Sequence, residues 1–152
     1  MLRKLKPVKA PEALTFFLPK ELNESEGAIL MDTGISAGFP SPADDFRETR
    51  ISLDEELIRN KEATFFARVS GQSMIGAGLD DNDLLVIDRS IPPTNNKIAV
   101  CFLDGEFTVK RLRVEGSEVW LQPENPDYPI IKITEENNFI IWGIVTNVIK
   151  KV

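Results

Sequence analysis

The chain has 152 residues, 42% of them hydrophobic, with one cysteine and no histidine. That suffices for one packed domain with a tail and excludes an internal disulfide, a histidine-based triad and a Cys/His zinc site, so no metal or other cofactor is expected. A formal net charge of -6 opposes direct duplex binding, which needs basic residues to neutralise phosphates, and the lack of a signal peptide or long apolar stretch points to a soluble, cytoplasmic protein with no membrane anchor.

Residues 1 to 9 carry four positive charges and no acid, which fits a solvated terminus better than a nucleic-acid or membrane-seeking arm. From Pro11 to Met31, short apolar patches (Leu14 to Leu18, Ala28 to Met31) are broken by Pro19 and an acidic stretch, predicting extended, weakly anchored chain without the two-helix pattern of a helix-turn-helix. Gly34 to Pro42 is small and flexible in its middle and forms a linker. Ser52 followed by Glu55 is a capping-box pattern, and Leu53, Leu57 and Ile58 form one apolar stripe, so a helix is expected over Leu53 to Asn60, packed on a sheet.

The run Thr64 to Val69 is a strand that stops at Ser70-Gly71-Gln72-Ser73-Met74, a turn able to lift one hydroxyl out of the sheet. Ser73 is the candidate nucleophile. It needs a base, and with no histidine in the chain the best choice is Lys110, within the strand-like run Glu106 to Val114. Alternation there puts Thr108, Lys110 and Leu112 on one face. A lysine on an inward face is desolvated, which can draw its pKa from about 10.4 toward neutrality and free a lone pair for the serine proton. Thr108 is placed to hydrogen-bond and aim the amine. Taken singly, such a turn is usually only a turn and a strand lysine usually faces water. Their conjunction is what points to chemistry.

Further strands are predicted over Leu84 to Asp88, Lys97 to Leu103, Glu118 to Leu121 and Phe139 to Lys150, separated by turns such as Asp104-Gly105, Glu115-Gly116 and Pro123 to Pro129. The fold class is mostly β, with curled antiparallel sheets, one short helix and an extended N-terminal arm. Cys101, inside an apolar run, is a buried strand residue, and Asp80 to Asp83 lacks the ligand spacing of a calcium loop and forms a turn. The final run, Phe139 to Val145, is apolar enough to invite edge pairing, and a homodimer interface is expected there.

Ser70-Gly71-Gln72-Ser73-Met74, then Lys110 37 residues beyond Ser73 within Glu106-Phe107-Thr108-Val109-Lys110-Arg111-Leu112, resembles the self-cleaving Ser/Lys peptidases of the LexA and UmuD type. The likeness continues through Gly78 to Asp88 and covers most of residues 34 to 147. It implies self-cleavage at a small residue followed by glycine in the linker, where Ala37-Gly38 is such a pair. Alanine stands where UmuD-type proteins often have cysteine. The boundary would then separate an arm, 1–37, from a peptidase domain, 38–152. Because the chain turns at the nucleophile, the N–H groups of Gln72 and Ser73 are the expected oxyanion donors. The resemblance further implies cleavage stimulated by a RecA filament on single-stranded DNA, and a trimmed dimer serving a UmuC-type error-prone translesion polymerase in the SOS response. Two rivals stand beside this: a non-catalytic dimeric adaptor on the same fold, and a phage or plasmid repressor-related peptidase, which binding to operator-like duplex DNA would reveal.

Overall fold

The computed structural model describes residues 15–18, 28–31, 37–38 and 48–152. The elements are β1 (Thr15–Phe17), β2 (Ala28–Met31), β3 (Glu48–Ile51), α1 (Leu53–Leu57), β4 (Thr64–Arg68) and β5 (Leu84–Asp88). There follow β6 (Ile98–Leu103), β7 (Glu106–Glu115), β8 (Glu118–Gln122), β9 (Ile131–Lys132) and β10 (Phe139–Ile149). By contacts the chain forms two compact units, Lys20–Arg59 and Met1–Pro19 with Asn60–Val152. The expected solvated terminus at residues 1–9 lies outside the described residues.

In the smaller unit β2 and β3 pair antiparallel, Ala28 opposite Ile51 and Met31 opposite Glu48. Sequence patterning marked Ala28 to Met31 only as an apolar patch, because an isolated four-residue strand is indistinguishable from loop until its partner is known. Helix α1 is shorter than expected. It ends at Leu57, where Ile58 turns extended while its N–H still reaches Asp54 O, and Ser52 makes no side-chain cap bond. A single turn cannot present the expected stripe, and Leu53 is left exposed.

The larger unit is built on a sheet whose described strands run in the order β1-β4-β5-β10-β6-β7-β8-β9, every adjacent pair antiparallel. The β-branched and aromatic runs of the sequence become these strands, and the hairpin β6–β7 closes through the two residues Asp104 and Gly105, both with positive φ. Strand β6 is buried on both faces. Val100 packs in a cluster with Val69, Met74, Leu85, Ile87, Val109 and Trp142, while its neighbours Ala99 and Cys101 point the other way toward Leu112, Leu121 and Ile144. That double burial explains why β6 is a continuous apolar run rather than an alternating one. Fully buried Leu85, Ile87, Leu112 and Leu121 are the largest contributors, each worth about 1.5–3 kcal/mol of apolar burial.

Two expectations change. Strand β10 is no edge: it pairs with β5 on one side and β6 on the other, with a register shift on each ladder, so its apolar sequence is explained by a central position and not by edge pairing with a second copy. And the stretch expected to be weakly anchored contributes β1, whose Thr15, Phe16 and Phe17 lie opposite Arg68, Ala67 and Phe66. Phe16 is held by rings as well as by the ladder, with centroids 4.9 Å from Phe107 and 4.8 Å from Trp142.

Candidate active site

Strand β4 leads out of the sheet at Arg68, and the following turn is tied down at both ends. Val69 N–H donates to Asp83 O and Asn82 N–H to Val69 O, while Gly71 N–H donates to Asp81 Oδ1 at 3.0 Å. The Asp80 to Asp83 turn foreseen from the sequence thus serves as the outer brace of the serine turn, and Lys150 pairs with both Asp80 and Asp83 from the end of the chain. Gly71 adopts φ 115, a backbone conformation that a residue with a Cβ strongly resists, and this lets the chain reverse just before Ser73.

Ser73 emerges from this reversal 3% exposed, and Lys110, 4% exposed, reaches it from β7. Lys110 Nζ donates to Ser73 Oγ at 3.1 Å, to Thr108 Oγ1 at 2.7 Å and to the Val109 carbonyl at 3.2 Å. The alternation of β7 operates as the sequence implied: Lys110 and Leu112 are buried on one face, and Thr108 on that face touches the amine. The candidate nucleophile, the candidate base and a hydroxyl bonded to that base are therefore together. A pocket at Ser73 is walled by Val69, Ser70, Gly71, Met74, Leu79 and Val109, a mostly apolar lining.

The backbone N–H groups of Gln72 and Ser73 donate to no acceptor among the described residues. Ala37 and Gly38 form an exposed bend in the connection between β2 and β3. Cys101 lies buried on β6, across from Thr108, and burial pushes its thiol up to about 12 against a smaller opposing pull from the charge of Lys110. It is an inert core residue, as its apolar sequence context suggested.

Sequence reasoning missed one part of the site. The stretch Pro123 to Pro129 looked only like a turn, yet Glu124 N–H donates to Ser73 O at 2.8 Å, Gly76 N–H to Glu124 O at 2.8 Å, and Asn125 Nδ2 to Gln72 O at 2.9 Å. Gly76 is required here, because a Cβ at that position would fall 2.5 Å from Glu124 O. The only sequence signal was an asparagine and a glutamate between two prolines, which says nothing about a segment more than 50 residues away.

Comparison with known proteins gives the family. Residues 29–146 match the family model described as Peptidase S24-like. The chain is 43% identical over 114 residues to Protein MucA of Salmonella typhimurium, covering 74% of this chain and 77% of the relative. It is 39% identical over 138 residues to Protein SamA of Salmonella typhimurium strain LT2, covering 91% and 96%. With the LexA repressor of Acidithiobacillus ferrooxidans it shares 34% identity over 131 residues, covering 84% of this chain and 63% of the repressor. Among the described residues no helix is long and apolar enough to cross a membrane. A mostly antiparallel β-fold that brings Ser73 to Lys110, and these relatives over most of its length, place the chain in the Peptidase S24-like family of self-cleaving serine peptidases, in its UmuD-like branch.

Proposed function

We propose that the protein cuts its own chain between Ala37 and Gly38 using Ser73 and Lys110. The observation that carries this is the 3.1 Å contact between Lys110 Nζ and Ser73 Oγ at two buried positions. A lysine accepts a proton only as a neutral amine, with two N–H donors and one lone pair. The Thr108 hydroxyl and the Val109 carbonyl suit the two donors, which leaves the lone pair for the Ser73 O–H. Serine oxygen then attacks the Ala37 carbonyl as its proton passes to Lys110. The tetrahedral oxyanion is met by the N–H groups of Gln72 and Ser73. When the C–N bond breaks, Lys110 returns the proton to the departing Gly38 amine, and water, activated by the same amine, releases Ala37 as a carboxylate.

Because substrate and catalyst share one chain, the step is unimolecular once the linker docks, and even a modest site suffices. Such a reaction needs control, and the resemblance supplies it: docking is favoured by a RecA filament on single-stranded DNA. Loss of residues 1–37 removes five basic and five acidic residues, so the net charge of what remains is unchanged and the consequence is steric. In this reading the trimmed protein is a cytoplasmic homodimer that assists a UmuC-type error-prone polymerase during SOS mutagenesis. Similarity to MucA and SamA along most of the chain supports that role.

Intact-mass analysis of the protein, with and without a RecA filament, beside Ser73→Ala and Lys110→Ala, tests the proposal. The expected result is one break, after Ala37, present in the parent and missing from both variants. A break that persists in either variant, or no break under any condition, rejects it; in the second case the adaptor reading takes its place.

A further inference from the structure

The serine turn includes two peptide planes, and both are held by the segment after β8. Asn125 Nδ2 donates to the Gln72 carbonyl at 2.9 Å, and the only other donor to that oxygen among the described residues, Ile75 N–H, is at 3.4 Å. Glu124 N–H donates to the Ser73 carbonyl at 2.8 Å. In a trans peptide the N–H points opposite to the C=O, and no peptide bond among the described residues is cis. Whatever grips the Gln72 carbonyl therefore also sets the direction of the Ser73 N–H.

We propose that Asn125 is a positioning residue for the reaction: through the Gln72 carbonyl it fixes the plane of the Gln72–Ser73 peptide and so aims the Ser73 N–H at the oxyanion. This rests on the self-cleavage reading above and adds to it the residue that preorganises the hole.

Three observations support the assignment. Asn125 is 8% exposed, so its amide is committed to protein partners. Its orientation is determined, because Oδ1 accepts the Asp127 N–H at 3.0 Å and so leaves the NH2 group facing Gln72. The segment is also tied to the base: Arg111, the residue after Lys110, bonds through Nε to the Glu124 carboxylate and through a terminal nitrogen to Asn96 O. The strand carrying the base and the turn carrying the nucleophile thus meet on the pair Glu124–Asn125, which acts as a gauge block between them. An oxyanion donor is effective only when aimed before the charge develops, which is the condition such a block satisfies.

The test uses the full chain with Asn125→Leu, close in size and uncharged, and Asn125→Ala. Two rates are read: self-cleavage across pH, and labelling of Ser73 by a fluorophosphonate, followed by intact mass. Labelling requires the same hydroxyl and hole but no docked linker. Both variants should lose roughly tenfold to a hundredfold in both rates, less than or equal to the loss from removing a donor outright. The midpoint of the pH profile should not move, since Lys110 is untouched, and thermal unfolding should stay above the assay temperature. Unchanged rates in folded variants overturn the proposal. So does a loss that comes with a displaced pH midpoint, which would mean action through Lys110, or a loss seen only where the variant unfolds. A parent that never cuts itself overturns the self-cleavage reading alone, and the labelling rates then decide for or against Asn125.

Discussion

Thr108 holds Lys110 more closely than Ser73 does, with Oγ1 at 2.7 Å from Nζ against 3.1 Å for the serine oxygen. The amine is anchored within its own strand and offered to Ser73. Thr108→Val keeps the shape but removes that acceptor from a buried amine, at a stability cost of about 1–3 kcal/mol. Self-cleavage should slow by roughly tenfold, and Thr108→Ser should restore most of it. Equal rates for the valine variant and the parent would show that the threonine does not orient the base.

The identity of the base has a pH signature. A general base works only when deprotonated, so the cleavage rate should rise from neutral to mildly alkaline pH. Lys110→Arg, which keeps a charge but stays protonated throughout this range, should be inactive at every pH tested. First-order cleavage rates measured across neutral and mildly alkaline pH decide the matter, and activity in the arginine variant would assign the base elsewhere.

Cys101 gives a prediction of opposite sign for stability. Burial raises its thiol from 9.0 to about 12 in the folded protein, with the Lys110 charge pulling weakly the other way. The unfolded chain releases this proton near 9.0 and the folded chain keeps it to about 12. Stability from the buried thiol is therefore complete below the lower value and is lost as pH climbs toward the upper one, by about 1.4 kcal/mol per pH unit. Urea unfolding of the parent and of Cys101→Ala should show the parent losing stability more steeply above about pH 9. Parallel curves would disprove the linkage. Thiol reagents at neutral pH should leave Cys101 unmodified until the protein unfolds.

Gly76→Ala places a methyl 2.5 Å from Glu124 O, and the obstacle is backbone that cannot rotate aside. The serine turn and the Glu124–Asn125 segment must separate, which should cost about 1–3 kcal/mol and slow cleavage and Ser73 labelling together. Thermal unfolding and labelling measured on one preparation check this. A folded variant with parental labelling would show that the close approach is dispensable.

What the sequence disclosed and what it hid divide along physical lines. Strand β5 appears at the predicted bounds, and β4, β6, β7, β8 and β10 within about two residues, because β-branched runs between turn residues carry their own signal. That Ser73, Lys110 and Thr108 come together was legible as well, since a strand's alternation and an abrupt turn are local facts. Strands β1, β2 and β9 are two to four residues long and are defined by partners far away in sequence, so no local pattern announces them. Helix α1 was overextended because a capping pattern records where a helix can start and says little about where the chain must leave it. Asn125 was invisible for the same reason as the short strands: its bond is to residue 72, across 53 positions.

Strand β1 covers the outer edge of β4 and seats Phe16 between Phe107 and Trp142, and residues 38–152 hold it there through a covalent tether running across Ala37 and Gly38. Severing that tether would turn the strand from part of the fold into a free peptide ligand of it. Its occupancy would then depend on dilution instead of on an effective concentration set by the connecting chain. A three-residue ladder with one aromatic anchor is a weak ligand in those terms, so the cut would vacate a hydrogen-bonding edge and an aromatic socket side by side. The reaction would thus expose a new surface without any rearrangement of the sheet that carries it.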